Sequence, residues 1–103
     1  MKEFKYETII ISKEAWKFLN NFNRESKGFK ALPDERLNAI WLRMRAHRVH
    51  NGGANPATHP VDENEIRIDR NSFDIKWDKV KQILASKNFE YRQDGYVAVG
   101  FNA

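Results

Sequence analysis

The period of apolar and polar residues changes along the chain, and each change marks a predicted element. From Phe4 to Ser12, apolar and polar residues first alternate and then give way to three consecutive isoleucines, Ile9 to Ile11. Alternation is typical of a strand with one exposed face, whereas a run of branched apolar residues is typical of a strand covered on both faces. We therefore predict an N-terminal strand that lies at the centre of a sheet.

Two segments repeat apolar residues with the period of a short helix. The first follows Ser12, a favourable N-cap, and is predicted to end near Asn23. The other is predicted to begin after a cap at Ser72 or Asp74 and to end near Lys87. Their predicted buried stripes are Ala15, Trp16, Leu19 and Phe22 in the first, and Phe73, Trp77, Val80, Ile83 and Leu84 in the other. Each stripe indicates a helix that buries one side.

The segment from Asp34 to His50 predicts a further helix, which is the most informative stretch of the chain. Pro33 stands where a first helical turn tolerates proline, and Asn51 with the two glycines after it ends the helix. The apolar residues at helical spacing are Leu37, Ile40, Trp41 and Met44. One side of this helix is therefore predicted to be buried, while basic residues occupy much of the remainder.

The remaining pattern predicts strands joined by a long loop and a tight turn. Residues 51–64 contain two prolines and no periodicity, and loops of this length in small domains are often functional. Glu65 to Arg70 alternates, with two isoleucines on one face. Phe89 to Arg92 and Tyr96 to Phe101 are predicted to form a hairpin around Asp94-Gly95, a strong signal for a type I′ turn.

These elements predict a single small α+β domain over residues 1–103. The predicted order is β-α-α-β-α-β-β, with three helices against a small, mainly antiparallel sheet and a C-terminal hairpin. A helix followed by a hairpin also resembles the end of a winged helix, in which a recognition helix enters the major groove of DNA. The predicted hairpin is apolar on at least one face, which favours packing into a sheet over a free wing.

Composition narrows the function classes. The 103 residues include no cysteine, which excludes disulfides, thiolate metal sites and a cysteine nucleophile, and fits a cytoplasmic protein. No apolar run approaches the roughly 20 residues of a membrane span, so we predict a protein without membrane association. The formal net charge of +4 favours nucleic acid or an acidic protein surface as partner.

The basic residues of the 34–50 helix are the main candidates for binding an anionic partner. At about 100° per residue, Arg36, Arg43 and His47 fall at one edge of the apolar stripe, and Arg45 and Arg48 fall near the other. Arginine suits phosphates and carboxylates because its guanidinium donates two parallel hydrogen bonds. Secondary contacts are predicted from Lys76, Lys79 and Arg92. An ordinary solvated helix explains the same pattern, with its late basic residues complementing the negative end of the dipole.

Histidines raise two catalytic alternatives. His47 and His50, with His59 in the loop, permit a metal site, but their spacing supplies no general base of the HExxH kind. His47 or His50 beside Arg43 or Arg48 also permits a metal-free ribonuclease. The C-terminal run resembles, in its helix–strand–turn–strand outline, small toxin ribonucleases of the HicA kind. That resemblance implies a histidine in the strand after the turn, where this chain has Tyr96 to Val99.

Two function classes therefore lead. The first is a non-catalytic nucleic-acid-binding or regulatory accessory protein that uses the basic helix. The second is a small interaction module or inhibitor that docks on an acidic protein partner. We predict no catalytic residue, metal or cofactor, and a His-dependent ribonuclease is the minor alternative.

Overall fold

A computed structural model of the chain describes residues 2–5, 7–47, 61–94 and 97–100, with side chains for 7–46 and 61–93. Its elements, in chain order, are β1 (Lys2–Lys5), β2 (Thr8–Ser12), α1 (Lys13–Ser26), α2 (Asp34–His47), β3 (Glu65–Asp69), α3 (Trp77–Ser86), β4 (Tyr91–Asp94) and β5 (Val97–Gly100). The predicted α+β class and the predicted order are confirmed. The predicted N-terminal strand is divided into β1 and β2, and most of the 51–64 loop lies outside the described residues.

Strand β2 is the centre of a three-stranded antiparallel sheet with the order β3-β2-β4. Its three isoleucines are at most 1% exposed, as expected for a strand covered on both faces. Ile9 and Ile11 face the helices and join the main core, whereas Ile10 lies opposite Arg67 of β3 and Arg92 of β4. The isoleucine run therefore identified the central strand correctly.

The C-terminal strands do not form the predicted hairpin. Strand β4 pairs with β2, and β5 pairs with β1 in a separate two-stranded sheet, so the described ladders never join β4 to β5. From the pair Lys5–Val97 to the pair Thr8–Asp94, the residue number rises by three in the N-terminal strands and falls by three in the C-terminal strands. The two described ladders therefore share one register, with the C-terminal strands antiparallel to the N-terminal strands in both. The described chain has no hairpin after α3, so it lacks the element that would correspond to the wing of a winged helix.

The three helices share one core with the inner face of the sheet. Trp16 of α1 packs against Trp41 of α2, with ring centroids 5.5 Å apart. On its other side α1 presents Phe18, which packs against Phe89, the residue that follows α3 closely in the chain. Helix α1 therefore lies between the other two helices. The buried core residues are Ile9, Ile11, Ala15, Trp16, Leu19, Leu37, Trp41, Ile66, Ile68, Val80, Ile83 and Leu84.

Helix α1 has the predicted start and a well-formed end. The Ser12 hydroxyl accepts a hydrogen bond from the Ala15 amide at 3.1 Å, which confirms the predicted N-cap. At the other end the Gly28 amide donates to the Glu25 carbonyl and the Phe29 amide donates to the Arg24 carbonyl. This is a Schellman motif, and Gly28 adopts the positive φ of +86° that the motif requires.

Helix α3 begins later than predicted. Its first residue is Trp77, and the residue before it makes no side-chain cap bond. The predicted cap Ser72 instead accepts a hydrogen bond from the Asp69 amide at 2.9 Å, which holds it in the turn after β3. Serine and aspartate favour caps and turns for the same reason, since both accept hydrogen bonds from nearby amides, so the sequence did not separate the two.

Candidate docking face on helix α2

Helix α2 is attached to α1 near its first turn. Lys17 of α1 donates to Asp34 at 2.7 Å, and the Lys17 side chain is only 11% exposed. This hydrogen bond is the main reason that the pKa of Asp34 is lowered from its usual value of 3.8. Upstream, the side-chain amide of Asn21 both donates to the Leu32 carbonyl and accepts from the Leu32 amide. These contacts fix the direction in which α2 leaves the connection after α1.

The inward side of α2 matches the predicted apolar stripe. Leu37 and Trp41 are almost fully buried, and Ile40 and Met44 pack partly buried against the same core. Helix α2 is therefore held along its length by large apolar side chains. Its orientation about its own axis follows from this packing, so its opposite side faces away from the core.

The opposite side of α2, which we call the α2 outer face, combines apolar and basic residues. Leu42 is 66% exposed, the largest exposed fraction among the large hydrophobic residues of the described chain. Exposed alanines lie three residues before it and four residues after it, on the same side of the helix. Exposed arginines line one edge. The face consists of Arg36, Ala39, Leu42, Arg43 and Ala46.

The two arginines of the outer face are available for a partner. In the part of the chain that the structure describes, neither Arg36 nor Arg43 makes a side-chain hydrogen bond or ion pair. They are seven residues apart on the same edge of α2, a separation of about 10.5 Å at 1.5 Å per residue. Glu35 is also exposed and lies near the N-terminal end of this side. Most of the face is consequently basic or apolar.

Arg45 also makes contacts within the fold. Its Nη1 atom donates to the carbonyl oxygen of Glu65 at 2.6 Å, and its guanidinium lies over the Trp41 ring at 5.9 Å. The side chain thereby connects the end of α2 to the first residue of β3. The prediction grouped Arg45 with the binding residues because helical spacing places it beside the apolar stripe. The carbonyl that it binds is contributed by a residue 20 positions later, which spacing within the helix does not reveal.

The secondary basic residues lie elsewhere. Arg92 of β4 forms an ion pair with Glu65 at 2.6 Å. Lys76 and Lys79 are exposed at the start of α3. His47 is the last residue of α2 and its side chain is not among those described, while Arg48, His50 and His59 lie outside the described residues. The predicted set is therefore divided between α2, α3 and the sheet, and only Arg36 and Arg43 share a described surface with free guanidinium groups.

The sequence analysis missed the apolar half of the outer face. Ala39, Leu42 and Ala46 repeat at intervals of three and four residues, which is a second helical stripe beside the buried one. Only one apolar stripe was predicted for this helix, because the pattern is dominated by the larger side chains of Leu37, Ile40, Trp41 and Met44. The second stripe is the signal in the sequence that indicates this face.

Comparisons with protein-family models, with curated proteins and with solved structures find no match to this chain. Within the described residues, no helix is long and apolar enough to cross a membrane. The same residues contain no group of three or more histidine, aspartate or glutamate side chains that could hold a metal ion.

Proposed function

We propose that this protein is a non-catalytic docking module that binds an acidic surface of a partner protein through the α2 outer face. The observation that supports this proposal is the exposed Leu42, flanked by small alanines and placed beside two guanidinium groups that have no partner among the described residues. A protein interface typically has an apolar centre and a polar rim in which arginine is enriched. The outer face has this composition on a helix that the core holds in one orientation.

Charge supports an acidic partner. A guanidinium matches a carboxylate in shape and donates two hydrogen bonds to it, so Arg36 and Arg43 suit aspartate and glutamate side chains about two to three helical turns apart. The net charge of +4 adds a long-range attraction that raises the rate of encounter with an acidic protein.

Nucleic-acid binding is the second candidate, favoured by the position of Arg36 and Arg43 on a single edge. Among the described residues of the predicted set, Arg45 and Arg92 are engaged with Glu65, which leaves two arginines free on α2. Phosphate recognition through these two would be weak, because affinity for a polyanion grows with the number of phosphates neutralised. Phosphate binding also gives no reason for an exposed leucine between the alanines. The apolar centre thus favours a protein partner.

A salt series separates the two candidates. Binding of a labelled 20-base-pair duplex and a 20-nucleotide single strand is measured by fluorescence anisotropy from low to physiological salt. The proposal expects only weak association that disappears as salt rises and that is unchanged in Leu42→Ala, since an apolar side chain contributes little to a phosphate contact. Tight, specific binding at physiological salt would overturn the protein-docking proposal in favour of nucleic acid.

Paired variants test the face itself. Arg36→Glu/Arg43→Glu and Leu42→Asp are compared with the wild type for retention of protein partners, and each partner is then purified and titrated. The matched control is Lys76→Glu/Lys79→Glu, which makes the same charge change at the start of α3. We expect both α2 variants to lose at least about tenfold in affinity, a typical cost for reversing charge or burying a charge in an interface. Equal losses in the control would show that net charge, and not the α2 outer face, determines binding.

A further inference from the structure

A groove of about 560 Å³ lies between α1 and the segment that leads into α2. Its floor is apolar and includes Phe18, Phe22 and Phe89, which pack against the core but remain only partly buried. Carboxylates stand around it, and we call this site the acidic groove; those that line it are Glu14, Glu25 and Asp34. Among the described residues, Lys17 is the one basic residue of the lining, and it binds Asp34 at 2.7 Å and lies 4.0 Å from Glu14. Lys87 lies over the Phe18 ring at 5.3 Å, so the carboxylates still outnumber the basic groups at the groove.

The acidic groove and the α2 outer face are complementary in chemistry. The groove offers aromatic side chains beneath a rim with excess negative charge, and the outer face offers an exposed leucine beside two free arginines. Glu14 and Glu25 are eleven residues apart on the same side of α1, about 16 Å along its axis. This is about 6 Å more than the roughly 10.5 Å between Arg36 and Arg43, so pairing requires the long arginine and glutamate side chains to spread along the helices. Both surfaces are open in the described part of one chain.

We infer that the acidic surface recognised by the α2 outer face is the acidic groove of a second copy of this chain. Leu42 of one copy enters the groove of the next, and Arg36 and Arg43 pair with the rim carboxylates Glu14 and Glu25. The inference rests on the proposed docking role of α2 and supplies its partner. It also gives a reason for an acidic groove on a basic protein, because the negative rim attracts the arginines of another copy and repels other anions.

The contact is heterologous, because two different surfaces meet. Each copy in a pair still has one free groove and one free outer face, so association continues to a ring if the rotation closes and to an open chain if it does not. The interface is small, so we expect association in the micromolar to millimolar range, weakened by salt because its charges lie at an exposed rim.

Complementation between two defective variants tests this geometry. One variant, Arg36→Glu/Arg43→Glu, has an inactive outer face and an intact groove. The other, Glu14→Gln/Glu25→Lys, has an inactive groove and an intact outer face. Lysine near the C-terminal end of a helix is electrostatically favourable, so the second variant should fold normally. Folding of both is checked by circular dichroism and by urea unfolding.

Sedimentation velocity is recorded for the wild type, for each variant alone and for their equimolar mixture, over a concentration series at low salt. We expect the wild type to form species larger than dimers, each variant alone to associate at least about tenfold more weakly, and the mixture to stop at a 1:1 dimer. The dimer forms because the intact groove of one variant binds the intact outer face of the other. No second contact forms, because the remaining groove and outer face are both inactive.

Charge-matched controls and a defined contrary outcome complete the test. Glu63→Lys/Asp78→Asn raises the net charge by as much as the groove variant does, and Lys76→Glu/Lys79→Glu lowers it by as much as the outer-face variant does. None of these four residues belongs to either surface, so both controls should associate like the wild type. A wild-type chain that remains monomeric up to millimolar concentration, or a mixture that associates no better than either variant, overturns the inference. If the wild type is monomeric while the α2 variants still lose a different acidic partner, the docking function stands without self-association.

Discussion

The carboxylate of Glu7 connects three parts of the fold through a single residue. It accepts hydrogen bonds from the indole nitrogen of Trp77 at 2.7 Å, from Lys81 at 3.1 Å and from the side-chain amide of Gln93 at 3.4 Å. The donors belong to α3 and β4, and Glu7 itself precedes the central strand. The Trp77 bond, followed by those from Lys81 and Gln93, lowers the pKa of Glu7 below its usual 4.5 against an opposing effect of burial.

We expect Glu7→Gln to destabilise the protein at pH 7 by about 1–2 kcal/mol, since hydrogen bonds to a charged group are stronger than those to a neutral amide. The pKa is lowered in the folded state, so this stabilisation is complete well above pH 4.5 and is lost as the pH falls through the lower, folded-state value. Urea unfolding at pH 7 and at progressively lower pH measures the difference between wild type and variant, which should shrink in acid.

Glu63→Gln provides the matched control for this substitution, because Glu63 is exposed in a turn and makes no side-chain contact among the described residues. Its effect should be within about 0.5 kcal/mol at every pH, as is usual for a surface position. A Glu7→Gln effect that is the same at pH 7 and in acid would contradict the assignment to the ionised carboxylate.

At the scale of elements, helices α1 and α3 end in the same way with different residues. Both have a Schellman motif. The Phe29 amide donates to the Arg24 carbonyl after α1, and the Phe89 amide donates to the Leu84 carbonyl after α3. The left-handed position is Gly28 in the first motif and Asn88, with a φ of 60°, in the second. Glycine adopts this conformation without strain, and asparagine tolerates it better than other residues.

Opposite stability changes are therefore expected from two substitutions. A Cβ at Gly28 meets no atom within 4 Å, so Gly28→Ala introduces backbone strain alone and should cost about 1–2 kcal/mol. Asn88→Gly should be neutral or stabilise the protein by up to about 1 kcal/mol. Thermal and urea unfolding of the two variants provide the comparison, and a neutral Gly28→Ala would show that the end of α1 rearranges.

The elements also show what local patterns can predict. The class, the order, the N-cap at Ser12 and the buried side of α2 were all correct, because each depends on residues within one or two helical turns. The start of α3 was not, because Ser72 satisfied a turn instead of a cap. The binding role of Arg45 stays a prediction, and its helical position did not indicate that its guanidinium also binds a carbonyl on β3. Long-range partners decide such cases, and local spacing contains no information about them.

The whole molecule depends on pairings between distant parts of the sequence. Strand β2 has neighbours on both sides, and neither of them adjoins it in the chain. The Asp94-Gly95 dipeptide predicted a local hairpin, yet the pairing of β4 with β2 and of β5 with β1 recruits strands from opposite ends of the sequence. Burial explains the preference, because an isoleucine-rich strand needs a neighbour at each edge and a hairpin between β4 and β5 would have left one edge open.

Amide hydrogen exchange should rank the strands by this arrangement. We expect the amides of Ile9, Ile10 and Ile11 to be the slowest to exchange and to open only with global unfolding, since both edges of β2 are paired and its side chains are buried. Strand β4 lies at the edge of the described sheet and its residues from Tyr91 to Gln93 are exposed, so part of it should exchange faster. Equal protection of β2 and β4 would contradict the described strand order.

The central position of β2 has a consequence for synthesis on the ribosome. The strand emerges early, but β3 follows it by roughly 50 residues and β4 by roughly 80, which at about 5–20 residues per second corresponds to delays of several seconds. Helices form in microseconds, so α1 and α2 are available to shield the isoleucines long before any strand can pair with them. The most completely buried strand of the three-stranded sheet is thus made long before its partners. A chain interrupted before β4 would present an unpaired, aggregation-prone strand to the cell's chaperones.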